Sequence, residues 1–154
     1  MGEDGQPTSR LADFLPYLLS ITSNAVSGRI AEVYRNRFGL NIPEWRIMAV
    51  LGDAGALTQR ELTAATLMDK VAVNRACKVL EERALVAREP NAQDGRSHHL
   101  ELTAEGREMH GRIMPLALEM ERRLFETFSA EERETFRALL ARVRGQVGEI
   151  DTDA

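Results

Sequence analysis

The stretch that decides the fold is residues 58–102, TQRELTAATLMDKVAVNRACKVLEERALVAREPNAQDGRSHHLEL. Thr58 and Glu61 have the spacing of a capping box, in which the hydroxyl and the carboxylate satisfy free amides at a helix start. Asp69 can cap a second helix after a short turn. The apolar side chains of that helix recur at helical spacing. Its predicted buried stripe is Val73, Ala76, Cys77 and Leu80.

Two short apolar segments follow this helix pair. Leu85–Glu89 and Ser97–Leu102 are predicted strands, and residues 90–96 between them are rich in turn-forming residues. This spacing predicts a hairpin whose loop is too long for a two-residue turn and therefore protrudes. A helix pair followed by a two-stranded ribbon is the plan of a winged helix-turn-helix.

Long amphipathic helices flank this unit. Apolar side chains recur every three to four residues over 11–38, where Gly39 ends the helix, and over 104–150, which we divide at the capping box of Ser129. Another helix begins at Asn41 and ends at Gly52.

The fold class is therefore mainly α with a small β-hairpin, in a single domain over 1–154. Residues 41–102 are expected to form a winged helix-turn-helix part, a plan that is typical of DNA binding. The apolar faces of the flanking helices, 11–38 and 104–150, exceed what this part can cover. We therefore expect them to form a homodimer.

The composition excludes several classes of protein. Of the 154 residues, 44% are hydrophobic and 29% charged, which suits a globular domain. No apolar run is long enough to span a bilayer, and the polar start does not resemble a signal peptide. The single cysteine suits a reducing compartment, so we expect a cytoplasmic protein. With 5% aromatic residues, binding of single strands by base stacking is disfavoured.

Charge is distributed unevenly. The net charge is −4, but residues 58–100 carry seven Lys or Arg against six acidic residues, a balance of +1. The two flanks together therefore carry −5, and the two lysines of the chain, Lys70 and Lys78, both lie in the central block. This asymmetry points weakly towards an anionic partner.

The outward face of the predicted second helix suits double-stranded DNA. Its residues are Lys70, Val71, Ala72, Asn74, Arg75 and Lys78. Asparagine can pair with adenine and arginine with guanine, while small apolar side chains meet a thymine methyl. Thr58, Gln59 and Arg60 at the start of the preceding helix suit phosphate contacts. Arg96 in the hairpin can enter a minor groove, and Asp94, two residues earlier, can orient it or pair with another arginine.

Beyond these features, the chain resembles the MarR-type (multiple antibiotic resistance regulator) transcription factors over residues 11–148. The resemblance rests on Leu57–Leu62, Val73-Asn74-Arg75 and Leu80-Glu81 with Leu85-Val86. It rests further on Arg88, Pro90, Asn91, Asp94–Ser97 and Leu102–Gly106.

The resemblance implies a dimeric regulator, commonly a repressor, that binds a pseudo-palindromic operator and releases it when a small aromatic or anionic effector binds. Arg96 would be the wing-tip arginine, Asp94 its partner and Lys70–Lys78 the recognition surface. Ala84 departs from the glycine usual in the family. Val71-Ala72 depart from the usual serine or threonine.

Candidate effector contacts are Asn24, Trp45 and Arg46. An indole beside a guanidinium could hold an aromatic carboxylate or an acyl thioester, although a core tryptophan beside a solvated arginine is the more common arrangement. Asn24 lies near the inner part of the first helix.

Other functions have less support. Cys77 could sense oxidants, but on the inward stripe a cysteine usually packs as a small apolar residue. Adjacent His98 and His99 point to opposite faces of a strand, so we expect no metal site and no cofactor. No phosphate loop, zinc-protease motif or nucleophile elbow is present, so we expect no enzyme. The alternatives are an enzyme without a recognisable motif and a helical dimer that binds only protein.

Overall fold

The structure is a computed structural model that describes residues 10–91 and 94–150, without the side chains of residues 91 and 94–96. A single 3-10 turn at Leu11–Asp13 precedes the helices. The helices are α1 (Leu15–Phe38), α2 (Ile42–Ala54), α3 (Gln59–Thr66), α4 (Lys70–Glu82), α5 (Ala104–Leu124) and α6 (Ala130–Val147). The strands are β1 (Leu57–Thr58), β2 (Val86–Asn91) and β3 (Asp94–Leu102). This mainly helical fold with a small antiparallel sheet confirms the predicted fold class.

Local sequence signals place most helix starts correctly. The capping boxes at Asn41, Thr58 and Ser129 all form, with both reciprocal hydrogen bonds in each. The Thr103 hydroxyl accepts from the amide of Gly106 at 3.0 Å and so begins α5. Gly39 ends α1 in the left-handed conformation with φ of 64°.

Several element boundaries differ from the prediction. The first helix begins at Leu15 rather than at Leu11, and the last helix ends at Val147 rather than at Ile150. Helix α2 does not end at Gly52 but continues to Ala54. Gly52 has a packing role instead, because a Cβ there would overlap the His110 ring. The strands reach Asn91 and Asp94, which pair with each other, so the hairpin is longer and its loop shorter than predicted. Helix α5 ends at Leu124 and does not continue to the capping box of Ser129, where the prediction divided the two helices.

The sheet contains a strand that the sequence did not indicate. Its order is β1-β3-β2, with β3 in the centre and both neighbours antiparallel to it. In β1, Leu57 pairs with Leu100 and Thr58 with His99. The residue that caps α3 is therefore also tied to the hairpin, so the start of α3 and the wing are held together.

The chain divides into two compact units, Met1–Met114 and Pro115–Ala154, and the division falls inside α5. The first unit contains a core drawn from its helices and its sheet. Its fully buried large side chains include Tyr34, Leu40, Ile47, Met48, Leu62, Leu80, Leu100 and Ile113. In the second unit, Phe125, Phe128 and Phe136 form an aromatic cluster with ring centroids 5.2 to 5.9 Å apart. No helix in the described ranges is long and apolar enough to cross a membrane.

Candidate nucleic-acid interface

Helix α4 buries the predicted stripe and exposes the predicted face. Val73, Cys77 and Leu80 are completely buried and Ala76 nearly so. Asp69 caps the helix, its carboxylate accepting from the amide of Ala72 at 2.8 Å. Five of the six predicted DNA-facing residues are exposed and Ala72 is half-buried. Val71 is 65% exposed on this face.

The cations on this face are available to a partner. Within the described residues, the side chains of Lys70, Arg75 and Lys78 make no hydrogen bond or ion pair. Lys70 and Lys78 are each four residues from Asn74, so the three side chains form one row along α4, and Arg75 lies on the adjacent row. This arrangement places amide and guanidinium donors between two positive charges. It is suited to phosphates on either side of exposed base edges.

At the start of α3, the side chains of the capping residue Thr58 and of Gln59 are already engaged within the protein. The Thr58 hydroxyl donates to Glu61 Oε1 at 2.9 Å and accepts from the Glu61 amide at 3.1 Å. Gln59 Nε2 donates to Asn74 Oδ1 at 3.2 Å. Arg60 is exposed, and its side chain has no partner among the described residues. Of these three predicted phosphate contacts, the structure leaves the side chain of Arg60 unengaged.

Sequence reasoning assigned no role to Arg88, which the structure places beside this surface. Arg88 Nη2 donates to Gln59 Oε1 at 3.2 Å, and its Nε donates to Glu81 Oε1 at 3.0 Å. The hydrogen bond to Glu81 raises the pKa of Arg88, so the guanidinium remains charged. No local pattern could reveal this contact, because Gln59 and Arg88 are 29 residues apart in the chain.

The two predicted wing residues, Asp94 and Arg96, lie in β3, but their side chains are outside the described residues. The backbone of β3 pairs with β2 from Val86 to Asn91, with an irregularity between Pro90 and Asn91. Both residues therefore occupy the end of the hairpin that is farthest from the start of α5. Their contacts with DNA remain predictions.

The candidate effector residues do not form one cluster. Trp45 is half-buried between two rings, with centroids 5.0 Å from Tyr34 and 6.1 Å from His110. Arg46 and Asn24 are exposed. Asn24 is ten residues from Tyr34 along α1, which corresponds to roughly 15 Å. The ring cluster was missed at the sequence level, because its members come from three different helices.

Cys77 is fully buried, and its burial raises the pKa of the thiol to about 11. The reactive thiolate is therefore scarce at neutral pH, which disfavours the oxidant-sensing alternative. As for metals, no group of three or more His, Cys, Asp or Glu side chains suited to bind an ion occurs in the part of the chain that the structure describes.

The protein has the features of the winged helix-turn-helix class of DNA-binding proteins. These are the helix pair α3 and α4, the short sheet, and the exposed cations on α4. Comparison with known proteins agrees. The profile of the MarR family matches residues 38–97. The HTH-type transcriptional regulator YdgJ of Bacillus subtilis is 32% identical over 116 residues, covering 73% of this chain and 69% of that protein. The chain therefore belongs to the MarR family of transcriptional regulators, as the resemblance predicted.

Solved structures support the same assignment. A MarR/EmrR family transcriptional regulator from Acinetobacter sp. ADP1 superposes with a TM-score of 0.86 at 26% identity, covering 92% of this chain and 100% of that chain. BpsR of Bordetella bronchiseptica, whose DNA binding is regulated by 6-hydroxynicotinic acid, superposes with a TM-score of 0.80. It covers 88% of this chain and 96% of BpsR, but at 20% identity this likeness shows the fold alone.

Proposed function

We propose that the protein is a repressor that binds a pseudo-palindromic operator as a homodimer. Helix α4 of each protomer enters a major groove, and the β2–β3 wing lies against an adjacent minor groove. The observation that carries this proposal is the exposed face of α4, on which the side chains of Lys70, Arg75 and Lys78 have no partner among the described residues. Phosphate contacts by Lys70, Lys78 and Arg60 set the register, and contacts to base edges supply specificity.

A dimer is supported by apolar side chains that each unit leaves in solvent. In the first unit, Leu15 at the start of α1 is 75% exposed, and Leu11 and Phe14 beside it are also exposed. In the second unit, Leu139, Val143 and Val147 lie on one face of α6 and are exposed in the single chain. We propose that a second copy covers these faces and that the two α4 helices bind successive major grooves, which lie about 34–36 Å apart in a duplex.

The regulatory signal that we propose is a small aromatic acid or its acyl-CoA ester. Trp45 is half-buried, and Arg46, the next residue along α2, is exposed and has no partner among the described residues, so it offers a cation to pair with a carboxylate. The regulation of BpsR by an aromatic acid shows that such control exists on this fold. A panel of aromatic acids and CoA esters that left operator affinity unchanged would refute this part of the proposal.

The proposed site of action is the cytoplasm, where the operator lies, and we propose no catalytic activity. The reactive-group motifs of enzymes are absent from the sequence, and the relatives described above are regulators. The remaining alternative is a dimer that binds only protein. Ionic strength distinguishes the two, because DNA affinity falls steeply with added salt through counterion release, whereas an apolar protein interface is little affected.

The deciding experiment is selection of bound duplexes from random DNA by the purified protein, followed by salt titration of the recovered site. We expect one sequence with two-fold symmetry and an affinity that falls steeply with salt. Recovery of no preferred duplex, or a site without symmetry, would overturn the proposal.

A further inference from the structure

Four side chains from three elements form a continuous chain of hydrogen bonds at the base of the α4 surface. Glu81 of α4 accepts from Arg88 of β2 at 3.0 and 3.2 Å. Arg88 donates to Gln59 of α3 at 3.2 Å, and Gln59 donates to Asn74 of α4 at 3.2 Å. The chain thus begins at an ion pair and ends at an exposed residue in the centre of the proposed recognition surface.

The direction of this chain follows from the chemistry of its members. A guanidinium donates and cannot accept, so Gln59 must turn its oxygen towards Arg88. The nitrogen of the same carboxamide then donates to Asn74, which must accept through its side-chain oxygen. Without Arg88, both amides could turn over together and keep their mutual hydrogen bond. Arg88 removes this ambiguity.

These hydrogen bonds determine which polar atom of the Asn74 side chain faces outwards. Its oxygen is engaged by Gln59, and its amide nitrogen has no partner among the described residues. An NH₂ group that points outwards donates hydrogen bonds. In a major groove it can donate to guanine N7 and O6, thymine O4 or adenine N7, whereas cytosine offers it only a donor.

We propose that Arg88 is a positioning residue that sets the hydrogen-bonding polarity of Asn74 and thereby selects an accepting base edge at one position of each operator half-site. This inference rests on the proposed function, because it assumes that α4 reads DNA. It adds a specificity determinant that itself need not touch a base. It also replaces the adenine pairing expected for an isolated asparagine.

The test is the Gln59→Glu variant. A carboxylate only accepts, so it can hold both Arg88 and Asn74 solely if the Asn74 amide turns over and presents its oxygen outwards. At the base that Asn74 meets, the wild type should prefer guanine to cytosine about fivefold or more, because guanine offers only acceptors and cytosine only a donor. The variant, with the Asn74 oxygen outwards, should reverse this preference. Ala64→Glu adds the same charge to an exposed position of α3 and should weaken binding without changing the preferred base.

A second readout needs no DNA. In the wild type, the side-chain NH₂ protons of Asn74 should exchange rapidly with water, as measured by NMR, and in Gln59→Glu they should exchange more slowly because they donate to the carboxylate. Arg88→Met should reduce the base preference towards equality while the protein stays folded. Unchanged preference and unchanged exchange in Gln59→Glu would overturn the proposal. If the wild type bound no duplex at all, the proposed function would be wrong. The exchange measurement would still test whether the Asn74 NH₂ group points outwards.

Discussion

At the scale of single residues, Arg75 is the side chain from which we expect the largest direct contribution to base recognition. It is exposed in the middle of α4, and no described residue engages it. Arg75→Ala should reduce specific binding by roughly 1–3 kcal/mol, because a bidentate contact to guanine is lost. Fluorescence anisotropy titrations against the selected operator, and against a duplex with that base pair changed, measure the difference.

Arg96→Ala is the comparison for this variant, because a wing arginine in a minor groove should add affinity with less effect on sequence preference. The altered duplex should bind the wild type less tightly than the operator, but it should bind Arg75→Ala as tightly as the operator does. Equal losses for both variants on every duplex would contradict the proposed division of roles.

The backbone at Ala84 is in a strained conformation, which a glycine at this position would relieve. Its φ is 59°, in the left-handed region where a Cβ is unfavourable. Ala84→Gly should raise the free energy of unfolding by about 0.5–1 kcal/mol, since the relieved strain exceeds the extra entropy of an unfolded glycine. Equilibrium urea unfolding at fixed protein concentration measures the effect. Ala64→Gly, within α3, should lower stability by about 0.5–1 kcal/mol, and stabilisation by both variants would refute the explanation.

At the scale of secondary-structure elements, the junction between the sheet and α5 depends on a close approach. A Cβ at Gly106 would overlap the carbonyl of Leu85, which accepts from the Thr103 amide at 3.1 Å. The hydroxyl of Thr103 also donates to the carbonyl of Ala84 at 2.7 Å. The first turn of α5 is therefore held against the start of the wing by contacts that leave no space for a side chain.

Gly106→Ala should accordingly lower the free energy of unfolding by about 2 kcal/mol, because backbone atoms cannot move aside cheaply. Gly111→Ala is the matched control on the same helix. A Cβ there meets nothing within 4 Å, so this variant should raise stability by about 0.5–1 kcal/mol. Thermal and urea unfolding of the two variants should differ in sign, and a loss in both would show that the close approach is not the cause.

At the scale of the whole molecule, dimerisation links the exposed apolar faces to DNA binding. Leu139 and Val143 are 46% and 49% exposed on one face of α6. Leu139→Glu combined with Val143→Glu should give a monomer in light scattering. It should also weaken operator binding about a hundredfold, because the second half-site is no longer bound by a linked copy.

The double variant Ala138→Glu with Ala141→Glu is the control for the added charges, since both positions lie on the opposite side of α6. It should remain a dimer and bind the operator with little change. If the first double variant also remained a dimer, α6 would not be the dimerisation surface that we propose.

The sequence by itself determined the features that depend on neighbours along the chain. The capping boxes of α2, α3 and α6 and the buried stripe of α4 are local, because each depends on residues three or four positions apart. They sufficed to predict the winged helix-turn-helix and the exposed cationic face. The loop composition of residues 90–96, by contrast, did not reveal that the strands extend to Asn91 and Asp94, because pairing across the hairpin outweighs local turn preference.

Only the tertiary structure decided what joins distant parts of the chain. Strand β1 exists because Leu57 pairs with Leu100, and a side chain at position 52 is excluded because the His110 ring lies where its Cβ would stand. The polarity of Asn74 depends on Arg88, which reaches it through Gln59 from another element. Hydrogen bonds between distant side chains follow no period along the sequence. Which donor meets which acceptor is therefore determined by the tertiary structure.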